Sequence, residues 1–117
     1  MIFALDLEHT WVEKEKDKII EIALVKFDEN TFEIIETFST LLNPLIPIPE
    51  VISNITNIFD ADLIWAPVLD DELRQKIENF IWDAPILGHN TNFDRDFLLK
   101  NGIEIEENIV LDTFLLA

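Results

Sequence analysis

The opening of this chain is what most restricts its fold. Ile2 to Leu7 is a run without Gly or Pro, apolar on both alternating faces until Asp6, and Glu8 follows two positions on. A run apolar on both faces suits a central strand covered from both sides. Because strand side chains alternate, Asp6 and Glu8 project from the same face at one end of that strand. Two like charges about 4 Å apart repel by roughly 4 kcal/mol at an effective dielectric of about 20, so such a pair persists when protonated or when a cation neutralises it. Hard divalent cations, Mg²⁺ or Mn²⁺, match an all-oxygen ligand set. A lone Asp-x-Glu more often marks a strand that simply meets solvent, so a second motif has to separate the two readings.

The rest of the chain supplies a frame for that strand. Glu13 to Lys18 reads as a charged loop, Ile19 to Phe27 as a second strand and Phe32 to Leu42 as a third, joined by the polar hairpin connection Asp28 to Thr31. These three form an antiparallel meander. Pro44, Pro47 and Pro49 forbid regular structure; Pro49 opens a short helix through Ser53, and Asp60 caps another short turn. From Val68 to Ile81, Leu69, Leu73, Ile77, Phe80 and Ile81 recur at helical spacing opposite Asp71, Arg74, Lys76 and Glu78. Pro85 to His89 then gives a short buried strand, Asn92 to Lys100 a helix, Asn101-Gly102 its stop, and Ile109 to Leu111 a last strand. Asp112 is placed to cap a further helix. The chain stops four residues after Thr113, which leaves Phe114, Leu115 and Leu116 without an apolar partner, so the sequence reads as a domain cut short.

Composition narrows the chemistry. At 117 residues and 49% apolar, the chain fits one domain, residues 1 to 117, around one core. It has no cysteine, which excludes disulfides and thiolate metal sites. Eight basic against 24 acidic residues give a net charge of −16, the wrong sign for a groove that holds phosphates by neutralisation. Glu13, Glu15, Asp17, Glu104, Glu106 and Glu107 read as solvated surface acids. No run of about 18 apolar residues and no signal peptide is present, so a membrane partner is not expected and the chain is read as cytoplasmic. Trp11 is expected to be buried in its loop, and Trp65 and Trp82 to pack in the core.

A second acidic segment gives the first its context. In Gly88-His89-Asn90-Thr91-Asn92-Phe93-Asp94-Arg95-Asp96-Phe97-Leu98 a strand end runs into a helix, with Asp94 in its first turn. An acid there is also what the helix dipole favours without any ligand, and Asp96 reads as a solvated acid. The two segments fall into an ordered set with Ile19-Ile20-Glu21-Ile22-Ala23, Phe38 to Pro44, Ile48-Pro49 through Asn57-Ile58, Ala66-Pro67, and Leu111-Asp112-Thr113 followed by Leu116-Ala117. This set resembles the DEDD superfamily of exonucleases, nearest the DnaQ-like DEDDh branch of the proofreading-subunit type. The resemblance implies an α/β, ribonuclease H-like fold: a mixed sheet of a three-stranded antiparallel meander plus two parallel strands, with flanking helices and the C-terminal part missing.

What the resemblance implies for function is specific. Asp6, Glu8 and Asp94 would be the catalytic residues and the ligands of two divalent cations, Mg²⁺ or Mn²⁺. His9, Thr10 and Asn90 would contact substrate. The reaction implied is 3′-to-5′ release of nucleoside 5′-monophosphates from a single-stranded 3′ end, DNA rather than RNA, with a DNA polymerase subunit as an implied partner. Members of this type carry a histidine, then an aspartate five residues later, downstream of the Asp112-Thr113 segment. This chain stops first, so it is expected to turn over little substrate alone. His89 belongs to the second motif and is read as structural. After Glu8 the family commonly has Thr-Thr-Gly or Thr-Gly, whereas this chain has His9-Thr10-Trp11, a change that narrows the approach to the terminal nucleotide or offers Trp11 as a stacking surface. Two alternatives accompany the enzyme: a catalytically silent exonuclease-fold module that acts by binding protein, and a fragment completed by a second chain.

Overall fold

The structure, a computed structural model, describes residues 1–11, 17–88, 91–105, 108 and 110–112. Its elements run β1 (Ile2–His9), β2 (Ile19–Phe27), β3 (Ile34–Leu41), α1 (Glu50–Thr56), α2 (Asp60–Leu63), α3 (Asp71–Ile81), β4 (Ile86–Gly88), α4 (Thr91–Lys100) and β5 (Val110–Asp112). The strands form one mixed sheet in the order β3-β2-β1-β4-β5, with the doubly apolar β1 at its centre. β4 lies parallel to β1, with Phe3 opposite Ile86 and Ala4 opposite Leu87, and β5 lies parallel to β4. β2 and β3 run antiparallel: Asp28 N–H donates to the Glu33 carbonyl near the turn, and Leu42 N–H donates to the Ile20 carbonyl at the far end. Thr10 N–H donating to the Lys18 carbonyl closes the β1–β2 hairpin.

Two compact units interleave along the chain. The first takes Met1–Asp6, Ala23–Phe38 and Asp70–Ala117. Within it Phe3, Leu5, Leu24, Ile77, Ile81, Ile86, Leu98, Ile103 and Ile105 are buried, and Phe3 meets the edge of the Phe80 ring at 5.1 Å. α3 starts at Asp71 rather than Val68 because the Asp70 carboxylate accepts the Leu73 N–H and fixes the helix entrance. Its Arg74 guanidinium reaches back to Asp71 and across to the Asn101 carbonyl, which ties α3 to the end of α4. That end is a Schellman turn: Gly102 N–H donates to Leu99 and Ile103 N–H to Leu98, with Gly102 at φ 82. β3 begins at Ile34, later than the periodicity suggests. The preceding turn runs on through Phe32, whose N–H donates to the Asp28 carbonyl from a left-handed φ of 62.

The second unit takes Leu7–Ile22 and Ser39–Leu69. Its core gathers Ile20, Ile48, Ile52, Ile58 and Leu63, with Leu41 and Ala66 against them. Each such isoleucine removed from water contributes about 1.5–3 kcal/mol, so two helices of four and seven residues are held by burial rather than by helix propensity. α1 extends past Ser53 to Thr56, where Asn57 stops it in the left-handed region and donates its N–H to the Ser53 carbonyl. Asp60 is the first residue of α2 and not its cap; its carboxylate accepts the Ile48 N–H and pins the proline-rich segment to that turn.

Some expectations are corrected. Trp65 and Trp82 do not pack in the core: they are 94% and 73% exposed. Trp65 lies two residues beyond a four-residue helix whose buried side is already filled by Leu63, and Trp82 sits at the positive-φ end of α3, which turns its side chain outward. Asp112 ends β5. The helix expected after it, most of the Glu13–Lys18 loop, and Glu106 and Glu107 lie outside the described residues. Among the described residues no helix is long and apolar enough to cross a membrane.

Candidate active site

Asp6 is the first polar residue of β1 and is exposed, although Phe3 and Leu5 before it are buried. The parallel register with β4 sets its neighbourhood. Ala4 stands opposite Leu87, and Asp6 lies two residues further along β1, toward the end at which β4 stops at Gly88. α4 begins three residues after Gly88, and Asp94 lies half-buried in the first turn of that helix. Asp6 and Asp94 are thus carried to the same end of two adjacent parallel strands, the end at which open α/β sheets bind ligands. Phe97 and Leu98, buried one turn further on, anchor α4 and fix its entry; Asp96 points to solvent as expected.

In the second unit Glu8 is half-buried on β1, and the two residues after it are held by one carboxylate. His9 Nδ1 lies 2.7 Å from Asp17 Oδ2, while Asp17 Oδ1 accepts the Thr10 hydroxyl at 2.8 Å and the Trp11 N–H at 2.9 Å. An ionised carboxylate only accepts, so Nδ1 carries the proton of that contact. Thr10 is fully enclosed, and its Oγ1 also accepts the Lys18 N–H. Trp11 is exposed, contrary to expectation, and its indole stacks on the His9 imidazole with centroids 4.1 Å apart. Its φ of 54 is left-handed, at the position where the family pattern has glycine. Trp11 therefore holds a backbone conformation that suits glycine and carries a ring there.

Asp17, by its sequence context a solvated acid, is instead nearly buried, with a side-chain exposure of 10%. Composition gives no hint of this, because Asp17 is one of several acids alternating with lysines between Glu13 and Lys18. The physical signal is indirect: a histidine and a threonine buried at a strand end need an acceptor, and the hairpin loop holds the nearest ones. Asn90 and His89 lie outside the described residues. The donors Asp6, Glu8 and Asp94 are all carboxylates and so match a hard divalent cation in chemistry. Among the described residues, however, no three His, Asp or Glu side chains are gathered closely enough to hold a metal ion.

Comparison with known proteins bears on the whole chain. The family model RNase_T, described as Exonuclease, matches residues 3–117. DNA polymerase III PolC-type of Caldanaerobacter subterraneus subsp. tengcongensis is 37% identical over 116 residues, covering 96% of this chain. The PolC-type polymerase of Clostridium perfringens is 35% identical over 115 residues, again 96% of this chain. The chain spans 8% of the length of each of these relatives. Among solved structures, the E. coli exonuclease I complex with single-stranded DNA superposes with a TM-score of 0.79 at 17% identity, covering 98% of this chain and 28% of that one. The nuclease domain of 3′hExo, a DEDDh member bound to rAMP, gives 0.71 at 20% identity, covering 86% and 56%. These structures share the ribonuclease H-like fold expected from the sequence. With a match along nearly its entire length and relatives of this similarity, the chain belongs to the RNase_T exonuclease family.

Proposed function

We propose that the chain is the exonuclease portion of a protein that removes nucleoside 5′-monophosphates from single-stranded DNA 3′ ends, as a proofreading activity. The observation that carries this reading is the parallel β1–β4 register, which brings Asp6 and the Asp94 turn of α4 to one end of the sheet. Asp6, Glu8 and Asp94 are the residues that would hold two divalent ions, Mg²⁺ or Mn²⁺. Bound there, the ions supply Lewis acidity and a nucleophilic water at neutral pH. Asp17 fixes the backbone after Glu8 through His9 and Thr10, and the Trp11 indole offers its face to the terminal base. Asn90 contacts the same nucleotide. The general base is not assigned to any described residue.

The PolC-type relatives are DNA polymerases, which supports a polymerase as the partner and the cytoplasm as the place of action. A second reading, an exonuclease fold that acts by binding protein, is favoured by the net charge of −16. One assay separates them. The native full-length protein, given 5′-labelled single-stranded DNA and Mg²⁺ or Mn²⁺, is expected to shorten it stepwise from the 3′ end and to release mononucleotides. Asp6→Ala abolishes this. Equal activity in Asp6→Ala overturns the site, and no metal-dependent shortening by the wild type favours the binding module.

A further inference from the structure

The first unit contains a groove of about 620 Å³ lined by Trp82, Asp83, Leu99, Gly102, Ile103, Glu104 and Asn108. It belongs to none of the residues assigned above. Its upper lip is Trp82, whose ring is 73% exposed and whose backbone sits at φ 52, ψ −127, a conformation that glycine adopts readily and a bulky residue does not. The surrounding structure holds it there. Trp82 N–H donates to the Glu78 carbonyl at 2.7 Å, and the Asn108 amide donates to the carbonyls of both Trp82 and Ala84. A strained backbone that carries an exposed indole gains nothing for the core, and strain held in this way is characteristic of ligand clamps.

The groove's chemistry points to one kind of occupant. Leu99 supplies apolar wall, and Asp83 and Glu104 are exposed carboxylates. Of the nearby cations, Arg74 is engaged by Asp71 and the Asn101 carbonyl behind Gly102, and Lys100 is an exposed residue at the end of α4. An aromatic face beside two carboxylates takes a planar cation: a guanidinium stacks on indole while its fork of N–H groups reaches carboxylate and amide oxygens. The same carboxylates repel phosphate, which disfavours nucleic acid here. We propose that this groove receives an arginine side chain of a partner protein, stacked on Trp82 and bound by Asp83 and Glu104.

The test uses the full chain labelled with ¹⁵N and argininamide as the probe. The indole N–H resonance missing from Trp82→Gly identifies the Trp82 signal. That variant keeps its fold because glycine suits the backbone. The Trp82 signal is expected to shift saturably, with a millimolar dissociation constant, about what one stacked and forked side chain provides. Citrullinamide, uncharged and nearly isosteric, is expected to bind roughly tenfold more weakly, as is argininamide to Asp83→Asn. Binding to Trp82→Gly is read from the backbone amide signals of Gly102 and Glu104. Equal binding of the two probes, undiminished argininamide binding by both Trp82→Gly and Asp83→Asn, or the absence of a saturable shift would each overturn the proposal.

Discussion

The His9 imidazole and the Asp17 carboxylate face each other at 2.7 Å across the mouth of the β1–β2 hairpin, both almost withdrawn from solvent. Because the same carboxylate also accepts from Thr10 and Trp11, it organises the three residues that follow Glu8. Asp17→Ala removes the acceptor that His9, Thr10 and the Trp11 N–H share and is expected to lower stability by about 2 kcal/mol, read from urea unfolding. Asp17→Asn keeps an acceptor oxygen and is expected to lose about half of that. A change indistinguishable from zero in Asp17→Ala would mean that water replaces the carboxylate without loss.

If Asp6, Glu8 and Asp94 hold a divalent ion as proposed, its binding stabilises the folded state by mass action. With free Mn²⁺ at about a hundred times its dissociation constant, the full-length protein is expected to gain about 2.7 kcal/mol. The measurement is a thermal melt with and without the ion, reversed by EDTA. In Asp6→Asn the gain is expected to fall away, and an undiminished gain there would remove Asp6 from the ligand set.

Gly102 closes α4 in the left-handed region, and a Cβ built on it lies 3.0 Å from Arg74 Nε. Gly102→Ala is therefore unfavourable twice, in its backbone and against a guanidinium already fixed by two partners. A loss of about 1–2 kcal/mol is expected on denaturant unfolding. A neutral result would show that the Arg74 side chain yields at no cost.

Leu45 presents the opposite case. It is exposed and left-handed at φ 61, with its N–H bound to the Asn43 side chain. Asn tolerates that backbone where Leu does not, and no core contact is lost with the side chain. Leu45→Asn is expected to raise stability by about 1 kcal/mol, measured as a higher urea midpoint at unchanged slope.

The order of elements was legible because hydrophobic periodicity is a property of the chain alone. Ile19 to Phe27 falls where expected, and the doubly apolar Ile2–Leu7 run is indeed the central strand. Boundaries shifted where a single side chain or a left-handed residue decides them: Asp70 delays α3, and Phe32 delays β3. The three tryptophans escaped the reading for a related reason. Trp11 and Trp82 occupy backbone that suits glycine, and Trp65 follows a helix too short to bury a second face. At the site, the spacing of Asp6 and Glu8 and the strand-to-helix setting of Asp94 were visible in the sequence. The role of Asp17 was not, since a charged run conceals which of its acids folds inward.

The edge position of β3 has a consequence for behaviour in solution. From Thr31 to Thr37 every residue is exposed, Phe32, Ile34 and Ile35 among them, and the strand has a neighbour on one side only. Such a border invites a further strand from another molecule, and what discourages it here is the negative charge of Glu33 and Glu36 between the apolar residues. Glu33→Gln together with Glu36→Gln removes that repulsion. That double variant is expected to self-associate along its sheet border with its fold unchanged, seen as a larger species in sedimentation.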